Sequence, residues 1–285
     1  MNQSEKECRV TRPALSYHGG KWLLAPWIIE RFPPHRVYVE PFGGGASVLL
    51  RKVRAYAEVY NDMDDDVVNF FRVLRDPVKA EQLRDGLVNT PFSRTEFSAA
   101  YEIEGVDEVE RARRMVVRSF MGFGSASTGV HYSTGFRANS NRSGTTPAHD
   151  WVNYPDGLAA LTARLRGVVI ENRSYEKVIE AHDGEETLFY VDPPYPMCTR
   201  NCHRDSYRYE MTDEEHVKLS ECLKGVRGMV VLSGYQCPLY DELFEGWRRE
   251  ERRTYADGAA LRMECLWLNE NAVASLCGQL TIAGM

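Results

Sequence analysis

The regular pattern of the chain begins at Val37-Tyr38-Val39-Glu40-Pro41, an apolar run of the length of a short buried strand. Gly43-Gly44-Gly45-Ala46-Ser47-Val48-Leu49-Leu50 then reads as a glycine turn opening a helix. The unit repeats at once. Ala57-Glu58-Val59-Tyr60 predicts a second strand that stops at Asn61-Asp62, after which Val67, Val68, Phe70, Phe71 and Leu74 recur at helical spacing. Three more apolar runs of strand length follow: Val168-Val169-Ile170, Thr187-Leu188-Phe189-Tyr190-Val191 and Met229-Val230-Val231-Leu232. Helical stretches lie between them, so both ends of the chain predict one α/β sheet.

The middle has a different texture. Residues 80–117 read as helical, whereas 119–155 are rich in Gly, Ser, Thr and Asn with little apolar periodicity and read as loops. Loops that long inside a compact domain are usually functional or disordered. The pattern therefore predicts a sheet domain made of residues 1–74 and 166–285, interrupted by an insertion over 75–165. The formal charge of -6 argues against a protein that coats nucleic acid nonspecifically, but it does not describe local patches. Between 111 and 166 the bases are Arg111, Arg113, Arg114, Arg118, Arg137, Arg142, Arg164 and Arg166, and the acids only Asp150 and Asp156. Guanidinium forks suit phosphate and guanine. A solvated helix face followed by a loop has the same composition.

Other features bound the setting. The seven cysteines are odd in number and scattered, and no secretory signal stands at the start, so a reducing cytoplasm is the expected home. No apolar run approaches the roughly 20 residues of a membrane helix, and no membrane role is expected. Cys198-Thr199-Arg200-Asn201-Cys202-His203 lacks a second Cys or His pair at zinc-finger spacing, so no metal site is expected.

The sharpest chemical feature is Asp192-Pro193-Pro194-Tyr195, directly after the strand that ends at Val191. In an open α/β sheet this position faces the crevice where ligands bind. Two prolines remove two N–H donors and leave a stiff turn with free carbonyls. Asp192 adds a carboxylate acceptor, and Tyr195 a flat face on which a base can stack. Together they fit a planar amine; a proline turn that merely ends a strand uses the same residues. Glu40-Pro41-Phe42-Gly43-Gly44-Gly45 closes the first strand with a turn that a ligand can approach closely, and it falls one glycine short of a dinucleotide fingerprint because Val48 stands in the third place. Asp62 ends the second strand, where an acid can accept from ribose hydroxyls or simply be solvated like its neighbours. Tyr17-His18-Gly19-Gly20-Lys21 offers a lysine to a cofactor carboxylate or phosphate, or forms a surface turn.

Taken along the chain, Tyr17-His18-Gly19-Gly20-Lys21, Val39-Glu40-Pro41-Phe42-Gly43-Gly44-Gly45, Tyr60-Asn61-Asp62 and Asp192-Pro193-Pro194-Tyr195 resemble in their order the Dam-type, alpha-group adenine-specific DNA methyltransferase family. The resemblance extends to Leu232-Ser233-Gly234-Tyr235 and Glu264-Cys265-Leu266-Trp267-Leu268-Asn269, and so covers nearly the whole chain, while the middle matches only in placement. It implies an α/β, Rossmann-like S-adenosylmethionine-dependent methyltransferase sheet with an inserted, mainly helical and loop-rich target-recognition domain. It also implies S-adenosyl-L-methionine as cofactor, held by Tyr17, Lys21, Glu40, Phe42, Gly43, Gly45, Asp62 and Asp192. Asp192, Pro193 and Tyr195 would be catalytic, and Arg118, Arg137 and Arg142 would contact DNA. The family's first motif often starts with tryptophan where this chain has Tyr17, and the insertion departs from the Dam enzyme itself, so a GATC target does not follow.

The expected reaction is methylation of the N6 amine of an adenine flipped out of double-stranded DNA. That amine is a poor nucleophile, and acceptors at Asp192 and the Pro193 carbonyl would turn its lone pair toward the methyl group. Tyr195 would receive the base, with Tyr207 and Tyr209 nearby. Other planar amines (cytosine N4, RNA adenine, a protein glutamine) suit the same tetrapeptide, but Asp at 192 and the motif order favour DNA adenine. A DNA-binding protein that keeps S-adenosylmethionine as a structural ligand is the reading from another class, and intact Asp192 and Tyr195 oppose it. A cognate restriction endonuclease and a monomeric or weakly dimeric state complete the expectations.

Overall fold

The computed structural model describes residues 10–123, 134–138, 144–200, 208–255 and 261–283. Its centre is a seven-stranded sheet in the order β3-β2-β1-β4-β5-β7-β6. β1 (Val37–Glu40) pairs in parallel with β2 (Ala57–Asn61) on one side and β4 (Thr187–Val191) on the other. β3 (Val168–Glu171) extends the β2 side and β5 (Met229–Tyr235) the β4 side, both in parallel. All five were expected from their apolar runs. The chain reverses direction along the sheet between β1 and β4, which opens a crevice at their carboxyl ends.

β5 runs past Leu232 because its polar end is accommodated by specific partners. Ser233 shares a hydrogen bond of 2.8 Å with the Tyr190 hydroxyl, and Gly234 leaves room for the Tyr240 and Trp267 rings. Beyond it lies an antiparallel hairpin that the hydrophobic pattern did not predict, β6 (Arg248–Tyr255) and β7 (Leu261–Leu268). β6 begins Arg-Arg-Glu-Glu-Arg-Arg, charged on both faces, so no alternation marks it; such charge is what keeps an edge strand from pairing with other chains.

Side chains alternate across the sheet and feed two cores. Tyr38, Tyr60, Leu188 and Tyr190 enter one, whereas Val39, Val59, Phe189 and Val191 enter the other. The second is closed by α9 (Tyr175–His182), α10 (Asp213–Lys224) and α11 (Pro238–Leu243). The first is closed by α1 (Ala25–Ile29), α2 (Ser47–Arg51), α3 (Asp65–Arg75), the helices of the insertion, and α12 (Glu270–Ala283).

The helical expectation for 80–117 resolves into three helices: α4 (Pro77–Val88), α5 (Arg94–Ala99) and α6 (Glu108–Met121). Asp76, Ser93 and Asp107 cap them, their side chains accepting from backbone N–H groups of the first turn. The stretch read as loops also contains α7 (Pro147–Val152), capped by Thr146, and the start of α8 (Leu158–Leu165) follows it. Leu83, Leu87, Met115, Trp151 and Leu161 share one hydrophobic cluster with Val48, Tyr60 and Leu188, so residues 77–165 and the sheet have a common core.

The local basicity of 111–166 is corrected by acids outside that window. Arg111 bonds Asp66; Arg113 forks onto Glu110 at 2.6 and 2.7 Å; Arg114 reaches Glu110 at 2.6 Å. Arg118 is 0 % exposed, donating to the Ala100 carbonyl at 2.6 Å with Asp66 at 3.7 Å. It is an internal strut with no surface for DNA, which removes it from the expected DNA contacts. Arg164 forks onto Glu58 at 2.6 and 2.9 Å, and Lys52 reaches the same carboxylate at 2.8 Å. Burial opposes the ionisation of Glu58, but these cations outweigh it and lower its pKa.

Candidate active site

Asp192 leaves the end of β4 at the reversal point of the sheet, where its side chain is 17 % exposed and lines a cavity of about 320 Å³. Tyr17, Lys21, Glu40, Phe42, Gly43, Gly45 and Asp62 line the same cavity, so the segments from the amino-terminal half converge on the tetrapeptide. Of the tetrapeptide itself, Asp192 and Pro194 line the cavity, and Pro193 is buried. Lys21 Nζ stands 2.8 Å from Asp192 Oδ1 and donates to the Gly19 carbonyl at 2.8 Å. Burial raises the pKa of Asp192 and the ammonium of Lys21 opposes that rise.

The glycines of the turn are required by the protein's own packing. A methyl group on Gly43 would stand 2.1 Å from the Tyr60 ring, and one on Gly44 would stand 2.9 Å from the Tyr17 ring. The close approach is made by the protein's own aromatics, with the Tyr60 hydroxyl donating to the Gly44 carbonyl at 2.8 Å. Gly44 (φ 46°) and Ala46 (φ 52°) are left-handed, and α2 starts immediately after them. Val48, which spoils the dinucleotide fingerprint, is buried in α2.

Two acids hold this turn. Glu40 accepts from the Tyr38 hydroxyl at 2.6 Å and from Leu49 N–H at 2.7 Å, pinning α2 to β1; burial pushes its carboxyl up to about 8. Asp62 accepts from Gly44 N–H and Asp64 N–H, each at 2.8 Å. Burial raises it to about 6, against the effect of those bonds. A carboxylate has about four acceptor positions, so hydroxyls of a ligand can still be received.

Tyr195 differs most from expectation. Its hydroxyl donates to Glu264, its ring meets Tyr235 edge-on at 4.8 Å, and Lys21 Nζ lies 4.7 Å from its centroid. Its carbonyl accepts from Arg200 at 2.7 and 3.0 Å, and Arg200 is itself paired with Glu210 at 2.8 Å. Sequence reasoning missed Arg200, Tyr175, Met211 and Arg208, and noted Glu264 only within a motif. Phe42 packs on Tyr175 at 5.2 Å, and Arg208 pairs across the cavity wall with Asp64 at 3.2 Å. The Arg208 contact spans 144 residues, and no local signal reports it. Tyr209 lines the cavity.

Arg137 donates to the Phe120 carbonyl at 3.4 Å, beside the bridge between Gly122 and Phe136. Arg142, Cys202, His203 and Tyr207 lie outside the described residues. No cluster of three His, Cys, Asp or Glu side chains suited to a metal ion occurs among the described residues. No described helix is long and apolar enough to cross a membrane.

The crevice of this α/β sheet gathers a glycine turn, two strand-end acids and an Asp-Pro-Pro-Tyr turn around one cavity. The model of the D12 class N6 adenine-specific DNA methyltransferase family matches residues 17–256, and the chain belongs to that family. It is an enzyme that methylates adenine N6 in DNA, and methyltransferases generally draw the methyl group from S-adenosylmethionine. No curated protein matches the chain.

Proposed function

We propose that the cavity beside Asp192 holds S-adenosylmethionine and that Asp192 acts on the N6 amine of an adenine turned out of double-stranded DNA. The observation that carries this reading is the convergence of Lys21, Glu40, Asp62 and Asp192 on one cavity at the reversal point of the sheet. The chemistry of the donor set fits such a cofactor. Asp62 has acceptor capacity for ribose hydroxyls, Tyr17 and Phe42 give apolar walls, and the carboxylates suit a cationic ligand. When bound, the cofactor supplies an electrophilic methyl group on a positively charged sulfur.

The protein supplies placement and acceptors. Asp192 and the Pro193 carbonyl accept the two N–H groups of the amine, which localises its lone pair and aims it into the cavity. The two prolines stiffen the turn that carries the Pro193 carbonyl, and Lys21 holds the Asp192 carboxylate. Flipping the nucleotide costs a few kcal/mol, which contacts to phosphate and flanking bases must offset. We assign these contacts to the segment 75–165, with Arg137 and Arg142 as the candidates and Arg118 excluded by its burial.

Asp192→Ala is expected to remain folded and bind DNA while single-turnover methyl transfer falls by at least about 10²-fold, as for the loss of one preorganised hydrogen bond at a reacting centre. Labelled methyl transfer to unmethylated DNA measures it, with thermal unfolding in parallel, and mapping modified bases in cells lacking adenine methylation supplies the target sequence. Near-normal transfer by the folded variant would remove Asp192 from the mechanism.

A further inference from the structure

Glu264 sits on β7, opposite Tyr235 of β5 in register, and is 2 % exposed. A buried carboxylate needs partners, because an unpaired charge away from water costs several kcal/mol. Its partners are both parts of the site: the Tyr195 hydroxyl donates to Oε1, and Lys21 Nζ lies 3.9 Å from the same atom. Lys21 therefore stands between two acids, 2.8 Å from Asp192 and 3.9 Å from Glu264. One ammonium is shared by two carboxylates.

We infer that Glu264 is a positioning residue for methyl transfer, fixing Tyr195 and drawing part of the Lys21 charge away from Asp192. This rests on the reading that Asp192 accepts the target amine. An acceptor fully matched by its own ammonium accepts a further N–H weakly, so the second acid keeps Asp192 available. The same carboxylate ties down the far end of the Asp-Pro-Pro-Tyr turn. Tyr235 packs edge-on against the Tyr195 ring, while Arg200 holds the Tyr195 carbonyl. The turn is thereby clamped at side chain and backbone. Burial pushes the Glu264 carboxyl up to about 7, with Lys21 opposing the rise.

The test compares E264Q, which keeps a carbonyl acceptor for the Tyr195 hydroxyl but loses the charge, with E264A, Y195F and the E264A/Y195F double variant, all in the full chain. Single-turnover transfer at saturating DNA and S-adenosylmethionine should fall roughly 10- to 100-fold in E264A, the scale of a misplaced reacting group. E264Q should recover part of the loss, and cofactor affinity should change less than about threefold. The double variant should be no slower than the worse single one, because hydroxyl and carboxylate make one contact. A second readout needs no cofactor: DNA with 2-aminopurine at the target position should fluoresce less when bound to E264A or Y195F, and again no less for the double variant. Wild-type transfer and fluorescence in folded E264A and E264Q would overturn the inference, as would additive losses in the double variant. If Asp192→Ala remains active, the reading of Asp192 fails instead, and the coupling of Glu264 to Tyr195 is still measured by fluorescence.

Discussion

At the scale of single residues, the site's acids differ in what burial does to them. Glu40 is the extreme case, its carboxyl raised from 4.5 to about 8 while it pins Leu49 and Tyr38. Below about pH 4.5 both folded and unfolded chains hold this proton. Above that the unfolded chain releases it while the folded chain keeps it up to about pH 8. Its stabilisation is therefore lost as pH rises through this window, by at most about 1.4 kcal/mol per pH unit. Glu40→Gln should flatten the decline of unfolding free energy between pH 4.5 and 8, measured by urea denaturation. An equally steep decline in the variant would show that Glu40 is ionised in the folded protein. Asp62 and Glu264, raised to about 6 and 7, act in the same direction and remain in both proteins.

Elements explain what the sequence made legible. The five parallel strands are short apolar runs, and a strand covered on both faces needs no alternation to be recognised. The acids and glycines at their ends were likewise local signals. Contacts between distant residues were not. Glu58 with Arg164, Tyr195 with Glu264 and Asp64 with Arg208 are joined only by topology. The charged β6 gave no period, and the place of Glu264 beside Tyr195 follows from the antiparallel pairing of β7 with β5, which no local signal reports. The glycine turn was legible as a turn but its purpose was not, since Tyr60 fills the space at Gly43. Gly43→Ala should therefore destabilise the fold by about 1–3 kcal/mol, as overpacking does, and weaken S-adenosylmethionine binding. Gly278→Ala, in the last helix with open space around it, should be neutral or slightly stabilising. Thermal unfolding and calorimetry compare the two, and equal stability would mean that Tyr60 yields without cost.

Across the whole molecule, residues 77–165 and the sheet are joined by a shared core and by the Arg164–Glu58–Lys52 network. The sequence reading separated 75–165 as an insertion; the packing shows that its helices close one face of the sheet. Removing one partner of a buried ion pair typically costs about 3–5 kcal/mol, because the remaining charge is left unmatched. Arg164→Ala should approach the lower end of that range, since Lys52 stays with Glu58. It should lower the unfolding temperature of sheet and insertion together, followed by circular dichroism and by tryptophan fluorescence. Two separated transitions would mean that the two parts fold as independent bodies.

The arrangement of the strands also governs when the enzyme comes into being during synthesis. β1 begins at Val37, yet its partner β4 begins only at Thr187, and Glu264 arrives later still. A ribosome adding about 5–20 residues per second needs roughly ten seconds or more to pass from one to the other. Throughout that interval β1 and β2 present an open apolar edge, a hazard best met by binding factors or by the early folding of α3 to α6 over one face. A growing chain at this stage owns the glycine turn, Glu40 and Asp62 but neither Asp192 nor Glu264. The segments that line the cavity are thus brought together only after β4 has been made, long after β1 and β2.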